Sequence, residues 1–343
     1  MSGSELALVA VQVRLAAHHL DSPERFRALI DGLGEQAAAA GGEHRLWVFP
    51  EAVGHFLPLA FAPEVLGRAT VDQAFAALAL RRPLSLVRGM IAGRTLGLRH
   101  GLLHSILPAA DRLMHECFGA LARRHRAWVV AGSHLRAHPD GRVTNSSATF
   151  DPSGRLVAIT DKVNLVPGME DSTPTGLGLA RGDAERLPVV RAPWGTLATL
   201  ICYDGFVCPH TEGERFAWMA GRADAAGVDV LANPAANPWP WLEPWVFAPP
   251  GPPPPLRCQQ WHDEGLPASL ARLRHVRYGV TAHLCGAVLD QRFEGPSEIL
   301  SREPDGVRVL AAAAGHDDAE VVAARVPAPA ELTARAAEPM DVG

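Results

Sequence analysis

Cysteine is scarce in this chain and never closely paired. Five occur in 343 residues, at 117, 202, 208, 258 and 285, without a CxxC pair. The odd count argues against a disulfide framework and a thiolate zinc site, and a reducing, cytoplasmic setting is expected. No apolar run reaches the roughly 18 residues expected of a membrane span. The opening "MSGSELALVAVQVRL" lacks the basic start, apolar centre and cleavage site of a secretory leader, so none is expected. Excess positive charge is missing too: 32 Lys and Arg stand against 37 Asp and Glu, a net charge of −5, so no nucleic-acid partner is expected. Two catalytic signatures are absent. His115-Glu116 has no second His to make HExxH, and no G-x-S-x-G elbow occurs.

What is present suits a globular α/β chain, with 48% hydrophobic and 20% charged residues. "ELALVAVQV" predicts a first strand. "SPERFRALIDGLGEQAAAAGG" predicts a helix with Ser22 as N-cap, Pro23 in the first turn and Gly41-Gly42 as the stop. "HRLWVFPE" predicts a second strand, giving a strand–helix–strand unit. Residues 110–126 predict a helix and "AWVVAGSHL" a strand. "VTNSSATFDPSGRLVAITDKVNL" and "LPVVRAPWGTLATLICYD" predict hairpins. "GERFAWMAGRADAAG" and "SLARLRHVRYG" predict helices, each followed by a strand, "VDVLANP" and "VTAHLCGAVL". Hairpins among strand–helix units call for a mixed sheet. If its second face is also buried, two sheets must stack between helices in four layers.

Three polar residues stand at predicted strand ends: Glu51, Lys162 and Cys202. Taken singly, each has a plain reading as a solvated turn carboxylate, a surface ammonium or a small core thiol. Taken together they suffice for acyl transfer. The thiol attacks a carbonyl carbon, the carboxylate takes its proton, and the ammonium with a backbone N–H stabilises the oxyanion.

The order of these motifs resembles the carbon–nitrogen hydrolase family, the nitrilase superfamily, in its amidase-like branch. The matching segments are "VFPEAVG", then "DKVNLVPGMED" preceded by an Asn and the "DPSGRL" hairpin, then "ICYDGF", with a late "FEGPSEI". The resemblance implies a four-layer α-β-β-α sandwich with mixed sheets, a homodimer or larger assembly, and no metal or organic cofactor. Carried over, Glu51 is the general base, Cys202 the nucleophile, Lys162 the electrostatic clamp and Glu170 an accessory carboxylate for which Asp171 competes. The backbone N–H of Tyr203 joins Lys162 at the oxyanion. The implied reaction is hydrolysis of a non-peptide amide through a Cys acyl-enzyme, with a small-molecule amide as partner. Cys-Tyr-Asp, where nitrilases tend to show Cys-Trp-Glu, favours amides over nitriles. Carbamoyl amides, N-acyl transfer, nitrile hydrolysis and a non-catalytic scaffold stay open.

The chain departs from the family pattern at "GFVCPHTEGERF" and "ANPAANPWP", where substrate identity is in doubt. The expected organisation is one domain over 1–343 with insertions at about 56–110 and 238–256. The first insertion has no acidic residue from Gln73 to Ala110 but holds Arg81, Arg82, Arg88, Arg94 and Arg99. It is read as a lid or dimer surface, or as a peripheral membrane contact through about 71–111. Gly89, Gly93, Gly97 and Gly101 weaken a single long helix there. The second, "PWPWLEPWVFAPPGPPPPL", is a stiff Trp- and Pro-rich loop.

Overall fold

The computed structural model describes residues 4–173, 175–249, 251 and 253–330. In its first half, β1 (Glu5–Ala16) leads to α1 (Pro23–Ala38) and β2 (His44–Val48). The Ser22 hydroxyl accepts the Arg25 N–H at the start of α1, and Gly41 and Gly42 turn the chain with φ of 63° and 103°. After 3-10 turns come α2 (Val71–Arg81), α3 (Pro83–Ala92) and α4 (Leu98–His125). Helix α4 begins twelve residues before the predicted 110 and carries Pro108 inside it. The predicted strand over "AWVVAGSHL" is two strands, β3 (Trp128–Val130) and β4 (His134–Ala137), broken at Gly132 with φ of 64°. The hairpin β5 (Val143–Phe150) and β6 (Leu156–Asp161) follows.

The second half holds β7 (Val190–Ala192), β8 (Gly195–Thr199), α5 (Met219–Ala225), β9 (Val230–Ala236), α6 (Arg257–Glu264), α7 (Leu266–Arg272) and β10 (Tyr278–Val288). Helix α5 is shorter than predicted, α7 stops at Arg272, and α6 had no signal strong enough beside the proline run. The chain closes with β11 (Gln291–Phe293), β12 (Glu298–Glu303), β13 (Gly306–Ala312) and β14 (Glu320–Pro327).

Mixed pairing builds two sheets. In the first, β1, β2 and β3 are parallel neighbours, while β14 runs antiparallel to β1 and β5 antiparallel to β3, β4 and β6. In the second, β8, β9 and β10 are parallel and β7, β12 and β13 extend the edges antiparallel. The sheets meet where Val13–Ala16 of β1 pairs with Leu284–Ala287 of β10.

Alternation along β1 explains the layering. Leu6, Leu8 and Ala10 face Val230, Val280, Ala282 and Trp194 of the other sheet. Val9, Val11 and Val13 face Phe26, Ile30, Phe118 and Leu121 of α1 and α4. On the far side, α5 and α7 cover the second sheet through Met219, Ala220, Leu266 and Leu270. Both faces of both sheets are therefore apolar, and the result is an α-β-β-α sandwich. Each fully buried Leu or Phe contributes about 1.5–3 kcal/mol.

Gly132 has a site-building task. A Cβ there would lie 2.1 Å from the Pro50 carbonyl oxygen, and its φ is positive. Gly132→Ala should therefore cost about 3 kcal/mol, adding the left-handed penalty to a backbone clash. A urea or thermal melt checks this, and unchanged stability would refute it.

Candidate active site

The C-terminal ends of β2, β6, β8 and β9 converge on one cleft. Each of the first three ends delivers one of the residues singled out by motif.

Glu51 follows β2 in a turn bolted to the β3–β4 bend. The Ser133 hydroxyl accepts the Ala52 N–H at 3.0 Å, and the Ser133 carbonyl accepts the Gly54 N–H at 3.0 Å. Lys162 continues β6, its backbone N–H donating to the Asn145 carbonyl at 2.8 Å. Cys202 opens a 3-10 turn, Cys202–Gly205, after β8, and holds φ of 47°. That left-handed conformation costs a non-glycine residue about 1–2 kcal/mol. The turn persists because its neighbours over-determine it. Asn233 Nδ2 donates to the Leu200 and Cys202 carbonyls at 2.6 and 3.1 Å, and the Asp204 carboxylate receives the Val163 and Asn164 N–H groups at 3.1 and 2.7 Å. Asp204 thus ties the Cys202 turn to the lysine segment.

The side chains meet. Lys162 Nζ donates to Glu51 Oε1 at 2.7 Å and to Glu170 Oε2 at 2.6 Å. Asn145 Nδ2 donates to Glu51 Oε1 at 2.8 Å and Glu170 Oε1 at 2.9 Å. The Val166 N–H adds a bond to Glu170 at 2.9 Å. The Cys202 thiol donates to the Ala236 carbonyl oxygen at 3.7 Å and lies close enough to Glu51 and Lys162 for their charges to act on it. Glu51, Lys162 and Cys202 are 4, 1 and 5% exposed, so these charges act where water screens them little. Asp171 does not compete for the lysine. It accepts the Gly168 and Thr173 N–H groups and shapes the loop.

Burial and neighbours separate the two carboxylates. Burial and the nearby Glu170 push Glu51 above the ordinary carboxylate value, against the opposing pull of Lys162. Glu170 is lowered: burial would raise it, but the charge of Lys162, its hydrogen bond, and those from Val166 and Asn145 outweigh burial. Lys162 stands well above its usual value, because Glu170 and Glu51 outweigh its desolvation. Burial and the Glu51 charge raise the Cys202 thiol, so it rests protonated. Lys162 is thus bonded to both carboxylates, with Glu170 lowered and Glu51 raised.

Tyr203 is anchored by its side chain, the ring stacked on His210 at 3.9 Å and the hydroxyl donating to Glu214 at 2.8 Å. Its backbone N–H lies in the first turn after Cys202, where helical N–H groups have no partner of their own.

A cavity of about 440 Å³ opens onto Glu51, Lys162 and Glu170. Cys202 is not among its lining residues; its Sγ lies 3.7 Å from the carbonyl oxygen of Ala236, which is. Phe56, Leu59, Phe75, Leu78, Leu103 and Phe293 make much of the rest, so α2 and α4 close one side of it. His55 lines it too, with Nε2 3.1 Å from Asn145 Oδ1 and its pKa lowered to about 4 by burial. A second cavity, about 470 Å³, lies beyond Asp204, lined by Arg142, Asp161, Asp183 and Arg186, without a thiol or lysine. Among the described residues one cluster could ligate a metal, Asp111, His115 and His134, with ligand atoms within 4.8 Å of one another. There His134 Nε2 and Arg136 Nε already bond Asp111 Oδ1 at 2.7 and 3.3 Å, which locks α4 to β4.

Motif reading quoted two further residues of this site without giving them a role. The Asn145 side chain bridges both carboxylates. Asp204, the last residue of Cys-Tyr-Asp, staples two strand ends.

The family model for carbon–nitrogen hydrolase matches residues 98–208, a span that contains Asn145, Lys162, Glu170 and Cys202. In sequence and in fold, the chain resembles the carbon–nitrogen hydrolases. A Schizosaccharomyces pombe protein described as a hydrolase is 25% identical over 126 residues, 36% of this chain and 35% of that protein's length. A solved amidase from Nesterenkonia sp. superposes with a TM-score of 0.57 at 17% identity, covering 97% of this chain and 96% of that one. A variant of the Nesterenkonia sp. AN1 amidase, described as from the nitrilase superfamily, gives 0.56 at 18% identity over 97 and 98%. Another, with acrylamide added at its active site cysteine, gives 0.55 at 17% identity over 97 and 99%. The solved amidases share this chain's fold over nearly its whole length.

Proposed function

We propose that this protein hydrolyses the C–N bond of a small amide through a covalent thioester on Cys202. The observation that carries the proposal is the buried Lys162 ammonium held by Glu51 and Glu170, with the buried Cys202 thiol within reach of the charges of Glu51 and Lys162.

Glu51 takes the S–H proton, and the thiolate attacks the amide carbonyl carbon. The oxyanion that forms is received by Lys162 and the Tyr203 N–H. The tetrahedral adduct collapses, the C–N bond breaks, and protonated Glu51 gives its proton to the departing nitrogen. The amine or ammonia leaves. Glu51 then deprotonates water, which attacks the thioester; the thiol departs and regains its proton, and a carboxylic acid is released. Glu170 stays ionised and keeps Lys162 in place. Proteins related by fold include an amidase whose active site cysteine takes up acrylamide. The cavity's volume falls in the range for a drug-sized ligand, and its aromatic and aliphatic walls favour an apolar acyl group with the amide at the polar end.

Intact-mass measurement after incubation with a panel of amides tests this reading. A mass gain equal to the acyl group, on Cys202 alone, is expected. No adduct and no released amine across apolar amides would refute it.

The pH dependence has a definite sign. Glu51 must be ionised to act, and its pKa is raised. kcat/KM should therefore fall as pH drops, with an acid limb above the 4.5 of an ordinary glutamate. Glu51→Gln should remove that limb together with about 10²–10⁴ of the rate. A pH–rate profile with the limb unmoved in Glu51→Gln would assign the base elsewhere.

A further inference from the structure

Helix α3 is amphipathic in the reverse sense for a water-facing helix. Its inner side is closed by Gly89, with Leu86 and Met90 beside it and Gly93 as its C-cap. A Cβ on Gly89 would lie 1.8 Å from the Gly101 carbonyl oxygen of α4, and one on Gly93 would lie 2.3 Å from the His104 ring. Gly101 in turn leaves room for Met90 and Leu86. This close backbone contact spends the small residues on the interior and turns Leu84, Val87 and Ile91 outward at one-face spacing. They are 74, 53 and 73% exposed, and Leu80, Leu96 and Leu98 beside them are 83, 92 and 59% exposed. Small residues within and apolar residues without is the arrangement helices adopt against lipid, not water.

The charges agree. From Gln73 to Ala110 no carboxylate occurs. Arg82 pairs with Glu64 and Arg99 with Asp72, both near the base of the insertion. Arg81, Arg88 and Arg94 are exposed and make no salt bridge among the described residues. Long arginine stems can lie along apolar surface while their guanidinium groups reach phosphate oxygens. A second copy of this chain is a poor occupant, since a two-fold contact would set this basic crest against itself. None of the described helices is long and apolar enough to cross a membrane.

We infer that the α2–α4 insertion docks this protein on an anionic lipid surface, with Leu84, Val87 and Ile91 entering the acyl boundary and Arg81, Arg88 and Arg94 at the headgroups. The same insertion walls the catalytic cavity from its other side, through Phe75 and Leu78 of α2 and Leu103 of α4. Admission of an apolar amide from the bilayer to that cavity rests on the hydrolase reading; the docking does not.

Vesicle co-sedimentation of the full chain tests the inference without turnover. The protein is expected to pellet with phosphatidylserine-containing vesicles and to remain in solution with pure phosphatidylcholine. Each arginine near such a surface is worth about fivefold in partition, so the triple variant R81Q/R88Q/R94Q should bind about 100-fold more weakly. The variant L84S/V87S/I91S should lose binding. Both should keep the parent's circular dichroism spectrum and melting temperature, which reports an intact fold. Wild-type protein left in solution with anionic vesicles, or triple variants that pellet like it, would overturn the inference. So would a dimer by light scattering that L84S/V87S/I91S abolishes while vesicle binding is absent, because the crest would then belong to a second copy. Absence of amide turnover with vesicle binding intact would strike the hydrolase reading alone.

Discussion

Cys202→Ala should lower kcat on the order of 10⁶-fold, the scale of loss when a covalent nucleophile is removed from a hydrolase. Cys117 packs in the core with α1 and α4, and the Cys285 thiol is held by the Gly295 and His316 carbonyls. The variant should also show no acyl adduct by intact mass. Its stability should stay within about 1 kcal/mol of the parent, because Ala occupies φ of 47° at the same penalty and the Asn233 and Asp204 contacts to the turn remain. Turnover within tenfold of the parent would transfer the nucleophile's role to another group and end the thioester mechanism.

Lys162→Met is expected to damage stability and rate together. It leaves Glu51 and Glu170 buried against each other with only Asn145 between them. Breaking a buried pair by removing one partner costs about 3–5 kcal/mol. At about 2–4 °C per kcal/mol for a large domain, the melting temperature should drop on the order of 10 °C. To escape the repulsion, Glu51 takes a proton and ceases to be a base. The rate therefore falls by more than the roughly 10²–10³ of a lost oxyanion donor. Adding Glu170→Gln removes one of the two facing charges, so the double variant should regain part of the stability and none of the activity. Differential scanning calorimetry with parallel kinetics reads both effects. A melting temperature unchanged by Lys162→Met would mean that Nζ does not hold the two carboxylates.

The same comparison shows why some of this architecture was legible in the sequence. Ser22, Pro23 and Gly41-Gly42 bound α1 because caps act within a turn of their own residues. The hairpin at Asp151-Pro152-Ser153-Gly154 was readable for the same reason: Asp151 accepts the Ser153 and Arg155 N–H groups, and Gly154 takes φ of 82°. Gly132, by contrast, breaks a strand because of Pro50, eighty-two positions earlier, and no local pattern reports that contact. The N-terminal half of α4 escaped prediction because Gly97 and Gly101 read as helix breakers; Gly97 is the N-cap, and α3 packs on Gly101. Glu170 and Asp171 are adjacent carboxylates that the chain order cannot tell apart; the loop hydrogen bonds direct one to Lys162 and the other to Gly168 and Thr173.

The sequence by itself determined the chemical inventory and its framing: a carboxylate, an ammonium and a thiol, each after an apolar strand, in a set order along the chain. Tertiary structure alone decided that they meet, that Asn145 and Asp204 hold them, that Glu51 and Glu170 differ in basicity, and that α3 turns Leu84, Val87 and Ile91 outward. The physical reason is one of range. Caps, turns and alternation are settled within a few residues. Desolvation, ion pairing and close backbone contact depend on what packs from a hundred positions away.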